Sequence, residues 1–260
     1  MNARAGRTVL FGCLAASLAL LGCDRQPGTA PSTQAPAKAA PEAAGTGKWP
    51  FLNPSESSAT LAGGVDPAMS LKRNYYLVFD ASGSMAFSEC SGRESKIEVA
   101  KRALVEFADK LPAGVNLGLS VFDDRGVREL LALGPLRRGA VASAIAAITA
   151  GGDTPLAESI QQAYDALTAQ GRKQLGYGEF HLVVVTDGEA STADPRTVVN
   201  AMLAKSPVVL HTIGFCIGSD HSLNQPGRVI YRAADNPAEL ASGLADVLAE
   251  SPRFDAKSFK

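Results

Sequence analysis

Hydrophobic positions change their period several times along the chain, and each change marks an element. Residues 8–21 (TVLFGCLAASLALL) are almost wholly apolar, and residues 24–48 carry hardly any large apolar side chain. From Lys72 onward, short apolar runs alternate with helical spacing. The run 75–79 (YYLVF) ends in Asp80 and predicts a strand buried on both faces. Within 95–111, Ile97, Ala100, Leu104, Phe107, Ala108 and Leu111 recur on one helical face. Strands are further predicted at 115–122, 180–186 (FHLVVVT) and 208–215, with short ones at 129–133 (an edge strand) and 228–232. Helices are predicted at 139–148, 156–169, 195–205 and 237–250. Alternation of strand and helix implies an α/β domain, a mostly parallel sheet with helices on both faces. That domain occupies residues 72–251, long enough for one well-buried core.

The stretches before it read differently. Arg4 and Arg7, the 14-residue apolar run and the exit Leu20-Leu21-Gly22-Cys23 form a secretory signal at residues 1–22, since spanning a bilayer takes ~20 apolar residues. The exit resembles the lipobox of bacterial lipoproteins, in which the cysteine, here Cys23, becomes the first mature residue and carries lipid. The alternative is an ordinary leader with a chance cysteine. Acyl chains contribute ~0.8 kcal/mol per buried CH₂, so two or three would anchor the chain firmly. The implied location is a bacterial membrane surface facing the periplasm. Asp24 resembles an inner-membrane retention signal.

Residues 23–71 read as the lipidated cysteine plus a flexible Ala/Pro-rich tether, because 18 of the 25 residues in 24–48 are Ala, Pro, Gly, Ser or Thr. Trp49-Pro50-Phe51-Leu52 interrupts it. It reads as a strap packing its aromatics onto the domain, with a membrane or partner contact as the alternative. Residues 252–260 form a C-terminal tail.

Composition narrows the function classes. With 260 residues, 46% hydrophobic, the chain is neither disordered, collagen-like nor a polytopic membrane protein. A formal charge of −1 gives no electrostatic footprint for nucleic acid. Three His, four Cys and no CxxC pair argue against a structural zinc site.

Three segments carry candidate chemistry: Asp80-Ala81-Ser82-Gly83-Ser84 after the first core strand, Gly152-Asp153-Thr154-Pro155 before a helix, and Asp187-Gly188 after the fourth core strand. Ligands of open α/β sheets bind outside the carboxyl ends of the strands. All three segments meet there if the first and fourth strands are neighbours. Every donor is a carboxylate or hydroxyl oxygen, which suits a hard cation, Mg²⁺ or Mn²⁺. Ser82 and Ser84 stand two apart on a turn that Gly83 permits, so both hydroxyls can face one point. Two carboxylates roughly neutralise the ion, and neutral hydroxyls leave it able to accept a further carboxylate. The alternative is that these residues are helix caps and turn formers, Thr154 capping the helix after Pro155.

The set resembles the von Willebrand factor type A (VWA) domain and its metal-ion-dependent adhesion site (MIDAS). The family's Asp-x-Ser-x-Ser matches Asp80, Ser82 and Ser84, its later Thr matches Thr154, and its Asp-Gly matches Asp187 and Gly188. The resemblance implies a Rossmann-like, doubly wound sheet of six strands in the order 3-2-1-4-5-6, the third antiparallel at the edge. It also implies that these five side chains hold Mg²⁺ or Mn²⁺, and that a protein partner offers an Asp or Glu carboxylate. The implied function is a membrane-anchored binding module. Residues 85–95 are longer than many family members have there, which alters the rim.

Competing classes are a scaffolding lipoprotein whose metal only braces the loops, and a phosphotransfer enzyme with Asp80 as nucleophile. The latter wants an acid/base two residues on, where Ser82 stands, and the GxxxxGK[ST] and GxSxG motifs are absent. The reading is therefore a non-enzyme.

Cys90 and Cys216 form an even pair in an exported domain, which suggests a disulfide. In the family's strand order the strands preceding them are two positions apart, about 10 Å, a gap a loop can cover. Two buried free thiols are the alternative. His181 and His211 read as satisfied core or edge residues, His221 as part of a solvated turn with a ligand role as the alternative, and Arg137-Arg138 and Arg172-Lys173 as solvated helix ends.

Overall fold

Seven consecutive buried residues make β1 (Arg73–Asp80) the spine of the sheet. The computed structural model describes Trp49 and residues 71–249. The leader 1–22, Cys23, the rest of the tether and the tail 252–260 lie outside the described residues. After β1 come a short 3₁₀ turn (Gly83–Ala86), α1 (Lys96–Lys110), β2 (Asn116–Asp123), β3 (Gly126–Pro135) and α2 (Arg138–Ala146). Then follow α3 (Leu156–Lys173), β4 (Glu179–Thr186), α4 (Pro195–Lys205), β5 (Val209–Phe215), β6 (Ile230–Ala234) and α5 (Pro237–Ala249).

Six strands form one sheet in the order β3-β2-β1-β4-β5-β6, all parallel except β3 against β2. The sheet is Rossmann-like and doubly wound, in the strand order that the resemblance implies. Strand alternation splits the core in two. Tyr75, Leu77 and Phe79 of β1 face α1, α2 and α5, where Leu104, Phe107, Ile145 and Leu244 meet them. Tyr76 and Val78 face α3 and α4, with Ile160, Leu167, Val199 and Met202. Pro195 opens α4 behind Asp194, whose side chain accepts from Arg196 N at 2.9 Å.

Two lengths differ most from the sequence reading. β3 has ten residues rather than the five of 129–133. It extends because Asp123 pairs with Gly126 across a tight turn, and Gly126 takes the required positive φ of 81°. α3 runs to Lys173, and its last turn buries Gln170 and Gly171. Gly171 is needed there, because a Cβ would run into the Trp49 ring. Trp49 is 1% exposed and meets Phe180 edge-on at 4.9 Å. The strap reading therefore holds for Trp49, while Phe51 lies outside the described residues. Phe180 lies at the start of β4 and Gly171 in the last turn of α3, so Trp49 is fixed at the amino-terminal pole of the strands.

Cys90 and Cys216 form a disulfide, with Cα atoms 6.0 Å apart, tying the loop after β1 to the end of β5. It closes 126 residues of chain, for which loop-closure entropy predicts about 4–5 kcal/mol of stabilisation. His181 and His211 are buried side by side, His181 Nδ1 lying 3.2 Å from His211 Nε2. Arg138 does not simply face water, since its guanidinium donates to the carbonyls of Leu111 at 2.6 Å and Asp109 at 3.4 Å beyond and within α1.

Two outcomes follow. In denatured, unreduced protein, neither Cys90 nor Cys216 should alkylate; labelling at both would remove the bridge. Burial first, and the neighbouring His181 next, hold His211 down to about 3 from its ordinary 6.5. Its folded pKa is depressed, so its contribution is full above pH 6.5 and is lost as pH falls toward 3. On moving from pH 7.5 to 5.0, wild type should lose about 2 kcal/mol more stability than His211→Gln in urea titrations. Equal losses would refute this.

Candidate metal centre at the carboxyl ends of the strands

β1 and β4 are neighbours, so the loops that leave their carboxyl ends share one crevice. Asp80 ends β1 and is fully buried. Its Oδ1 accepts the Ser82 backbone N–H at 2.8 Å, and its Oδ2 accepts the Thr186 hydroxyl at 2.6 Å. The Ser82 and Ser84 hydroxyls are 3.1 Å apart, and Ser84 donates to Asp187 Oδ1 at 2.7 Å. Four of the five sequence-predicted residues thus form one hydrogen-bonded cluster. The Asp80 and Asp187 side chains are not surface appendages, as their loop positions suggested, but buried groups.

Thr154 is brought to the cluster by its backbone. Gly83 N–H donates to Gly152 O at 3.0 Å and Gly151 N–H to Ala81 O at 2.8 Å, clipping the second loop onto the first. Gly152 takes φ 79°, and a Cβ there would overlap the Asp123 backbone, so only glycine allows this approach. On the other side, Thr154 N–H donates to Ser191 Oγ at 2.9 Å and Ser191 N–H returns to Thr154 O at 3.1 Å. Thr154 therefore lies clamped between the loops after β1 and β4.

The capping alternative fails at two positions. Pro155, not Thr154, stands at the N-cap of α3, and it makes no side-chain cap bond. Ser82 stands at the N-cap of the 3₁₀ turn, also without a cap bond, its hydroxyl being turned to Ser84.

Several supporting residues escaped the sequence reading. Thr186 is a polar side chain ending an apolar strand, and that oddity was its signal. Lys96 opens α1 beside Ile97, and its Nζ lies 2.6 Å from Asp187 Oδ2, an ion pair without aligned hydrogen-bond geometry. His221 is not in a solvated turn. It is buried, with Nε2 2.9 Å from Gly188 O, Nδ1 accepting Leu223 N–H at 3.0 Å and its ring stacked on Tyr231. It props the Asp187-Gly188 loop from below, and nothing in its sequence surroundings marks it.

Among the described residues, no group of three or more His, Cys, Asp or Glu side chains is arranged to hold a metal. The cluster instead offers two carboxylates and the Ser82 and Ser84 hydroxyls, with Thr154 held beside it, a hard donor set that could hold Mg²⁺ or Mn²⁺. Electrostatics agree with that fit. Burial first, and the Asp187 charge second, push Asp80 up to about 6. Two acidic side chains are thus held together at a place that favours an added cation.

Comparison with known proteins gives a consistent picture. The family model for the von Willebrand factor type A domain matches residues 74–245. Two proteins of Bacillus subtilis (strain 168), YwmD and YwmC, are each 27% identical over 160 and 158 residues, 55% of this chain. The matches span 67% and 66% of those proteins. Among solved structures, a von Willebrand factor type A protein from Catenulispora acidiphila superposes with a TM-score of 0.56 at 20% identity, over 70% of this chain and 43% of that one. The vWF domain of the type V pili tip protein Mfa5 from Porphyromonas gingivalis gives 0.57 at 14% identity, over 73% and 99%. Proximal thread matrix protein 1 from the mussel byssus, with a zinc-occupied MIDAS motif, gives 0.55 at 18% identity, over 68% and 47%.

One outcome follows from the paired carboxylates alone. The folded pKa of Asp80 lies above its unfolded 3.8, so its contribution is full below pH 3.8 and is lost as pH rises through about 6. In chelator, raising the pH from 4 to 7.5 should therefore cost wild type about 1–3 kcal/mol more stability than it costs Asp80→Asn, a difference that cancels the acceptor lost to the amide. Equal changes in the two would contradict the repulsion.

Proposed function

The chain belongs to the von Willebrand factor type A domain family, and on that premise we propose that it is a non-enzymatic binding module that engages a protein partner through a divalent cation. VWA domains generally mediate protein–protein interactions, and those with a MIDAS bind divalent metals. The observation that carries the reading for this chain is the single cluster of Asp80, Ser82, Ser84 and Asp187, with Thr154 clamped beside it.

Asp80, Ser82, Ser84, Thr154 and Asp187 would hold the ion, Mg²⁺ or Mn²⁺. When bound, it supplies an electrophilic position for a partner's Asp or Glu carboxylate. The protein's own contribution is positional. Thr186 and the Ser82 N–H orient Asp80, Ser84 fixes Asp187, and His221 supports the Gly188 carbonyl behind it. These groups are set before any ligand arrives, so little side-chain freedom is lost on binding.

The amino-terminal segment completes the proposal. Lipidated Cys23 would hold the chain to a bacterial membrane from the periplasmic side. Among the described residues, no helix is long and apolar enough to cross a membrane. Trp49 packs at the pole of the sheet opposite the cluster.

Calorimetric titration of the chelator-stripped full chain tests this. Mg²⁺ or Mn²⁺ should bind to wild type, about tenfold or more weakly to Ser84→Ala, and not measurably to Asp187→Asn, with all three folded by circular dichroism. Partner capture from membranes should vanish in EDTA. Undiminished affinity in both variants would place the ion elsewhere, and capture insensitive to EDTA would favour the scaffolding role.

A further inference from the structure

Lys96 is the first residue of α1, and its side chain is 7% exposed, a rare condition for a lysine. Its ammonium lies 2.6 Å from Asp187 Oδ2 and 3.5 Å from Glu89 Oε2. The two carboxylates differ in kind, since the Asp187 side chain is fully buried and that of Glu89 is 66% exposed. The backbone holds Lys96 in this place: its N–H donates to Phe87 O at 2.7 Å, closing the rim loop onto the start of α1. Glu89 is held too, because the next residue, Cys90, is bonded to Cys216.

We infer that Lys96 is a built-in counter-cation, competing with the divalent ion for Asp187 and setting how tightly that ion is held. This rests on the metal-binding reading above. Charge counting carries it. Asp80 and Asp187 together bear up to two negative charges, which one divalent ion balances by itself. Lys96 adds a positive charge within the same buried cluster, where screening by solvent is weak. Without the ion, Lys96 neutralises Asp187 and lets a buried carboxylate persist. With the ion present, the ammonium is surplus at Asp187, and Glu89 is its alternative partner on the rim. Asp80, Asp187, the divalent ion and Lys96 then sum to one positive charge, which Glu89 or, in its place, an incoming carboxylate brings to zero. Lys96 thereby weakens the empty site's hold on the ion while favouring an acidic ligand once the ion is in place.

The test is titration of the chelator-stripped full chain with Mn²⁺, comparing wild type, Lys96→Met, Lys96→Gln and the charge-keeping Lys96→Arg. The two neutral variants should bind Mn²⁺ about tenfold more tightly or better, with Lys96→Arg close to wild type. In chelator the neutral variants should melt below wild type, and Mn²⁺ should restore them by a larger rise than wild type shows. Lys96→Gln keeps a donor toward Asp187 and reads out the charge if the Met variant does not fold. Binding by a neutral variant alone would also support the inference. Equal or weaker Mn²⁺ binding by the neutral variants, with wild type still binding, would overturn the role of Lys96 and leave the metal reading standing. No binding by any of the four would overturn both.

Discussion

Two carboxylates buried side by side at the end of a parallel sheet set the terms for everything around them. Taking an ionised carboxylate out of water costs several kcal/mol, and a second one nearby adds repulsion. The structure meets this with three hydrogen-bond donors and one ion pair. Asp80 takes a backbone N–H and a threonine hydroxyl, and Asp187 takes a serine hydroxyl and an ammonium. Even so, Asp80 stays shifted upward to about 6, so the compensation is incomplete. A residual preference for added positive charge is therefore a property of the folded chain. Lys96 meets part of it from within, and a divalent cation is the natural supplement.

Topology makes that local arrangement reachable. Because β1 and β4 are adjacent while their following helices pack on opposite faces, the loops after them diverge and leave a crevice at the switch point. The third loop, 151–154, arrives from α2 and is fastened by Gly83, Ala81 and Ser191. The sheet beneath needs nothing from the site, since both its faces are packed largely with apolar side chains. Stability is supplied in one layer and strain is tolerated in another, the usual division at functional sites. The disulfide reinforces the division by pinning the rim, where Cys90 and Cys216 both take left-handed backbone conformations.

How much of this was legible in the sequence depended on the range of the interaction. The buried strands announced themselves as unbroken apolar runs, and α4 was marked at its start by Asp194-Pro195. Asp80, Ser82 and Ser84 could be read because their spacing is local, and Asp187 because an Asp-Gly follows a mostly apolar strand. The edge strand β3 came out short because its exposed side weakens the pattern, and its length is fixed by pairing with β2 across a turn. Lys96 and His221 were missed for a different reason. Each acts on the Asp187 loop across more than thirty residues of chain, and one sequence offers no signal for such pairs. A lysine beside buried Ile97 on the inner face of α1 was the one local hint.

Burial also bears on the choice between binding and chemistry. A nucleophilic carboxylate must present an oxygen to its substrate, yet both oxygens of Asp80 accept hydrogen bonds from within the protein and the residue is fully buried. Two residues on, where an acid/base would stand, the Ser82 hydroxyl is turned to Ser84. A hydroxyl of ordinary acidity is a poor proton donor near neutral pH. What the cluster turns toward solvent is the half-buried Ser84, with exposed Phe87 and Glu89 along the rim. Asp80 is therefore poorly placed to act as a nucleophile. On the proposed reading the cluster offers an oxygen-lined seat for a cation, with an apolar and an acidic neighbour on the rim against which a partner's side chains can be sorted.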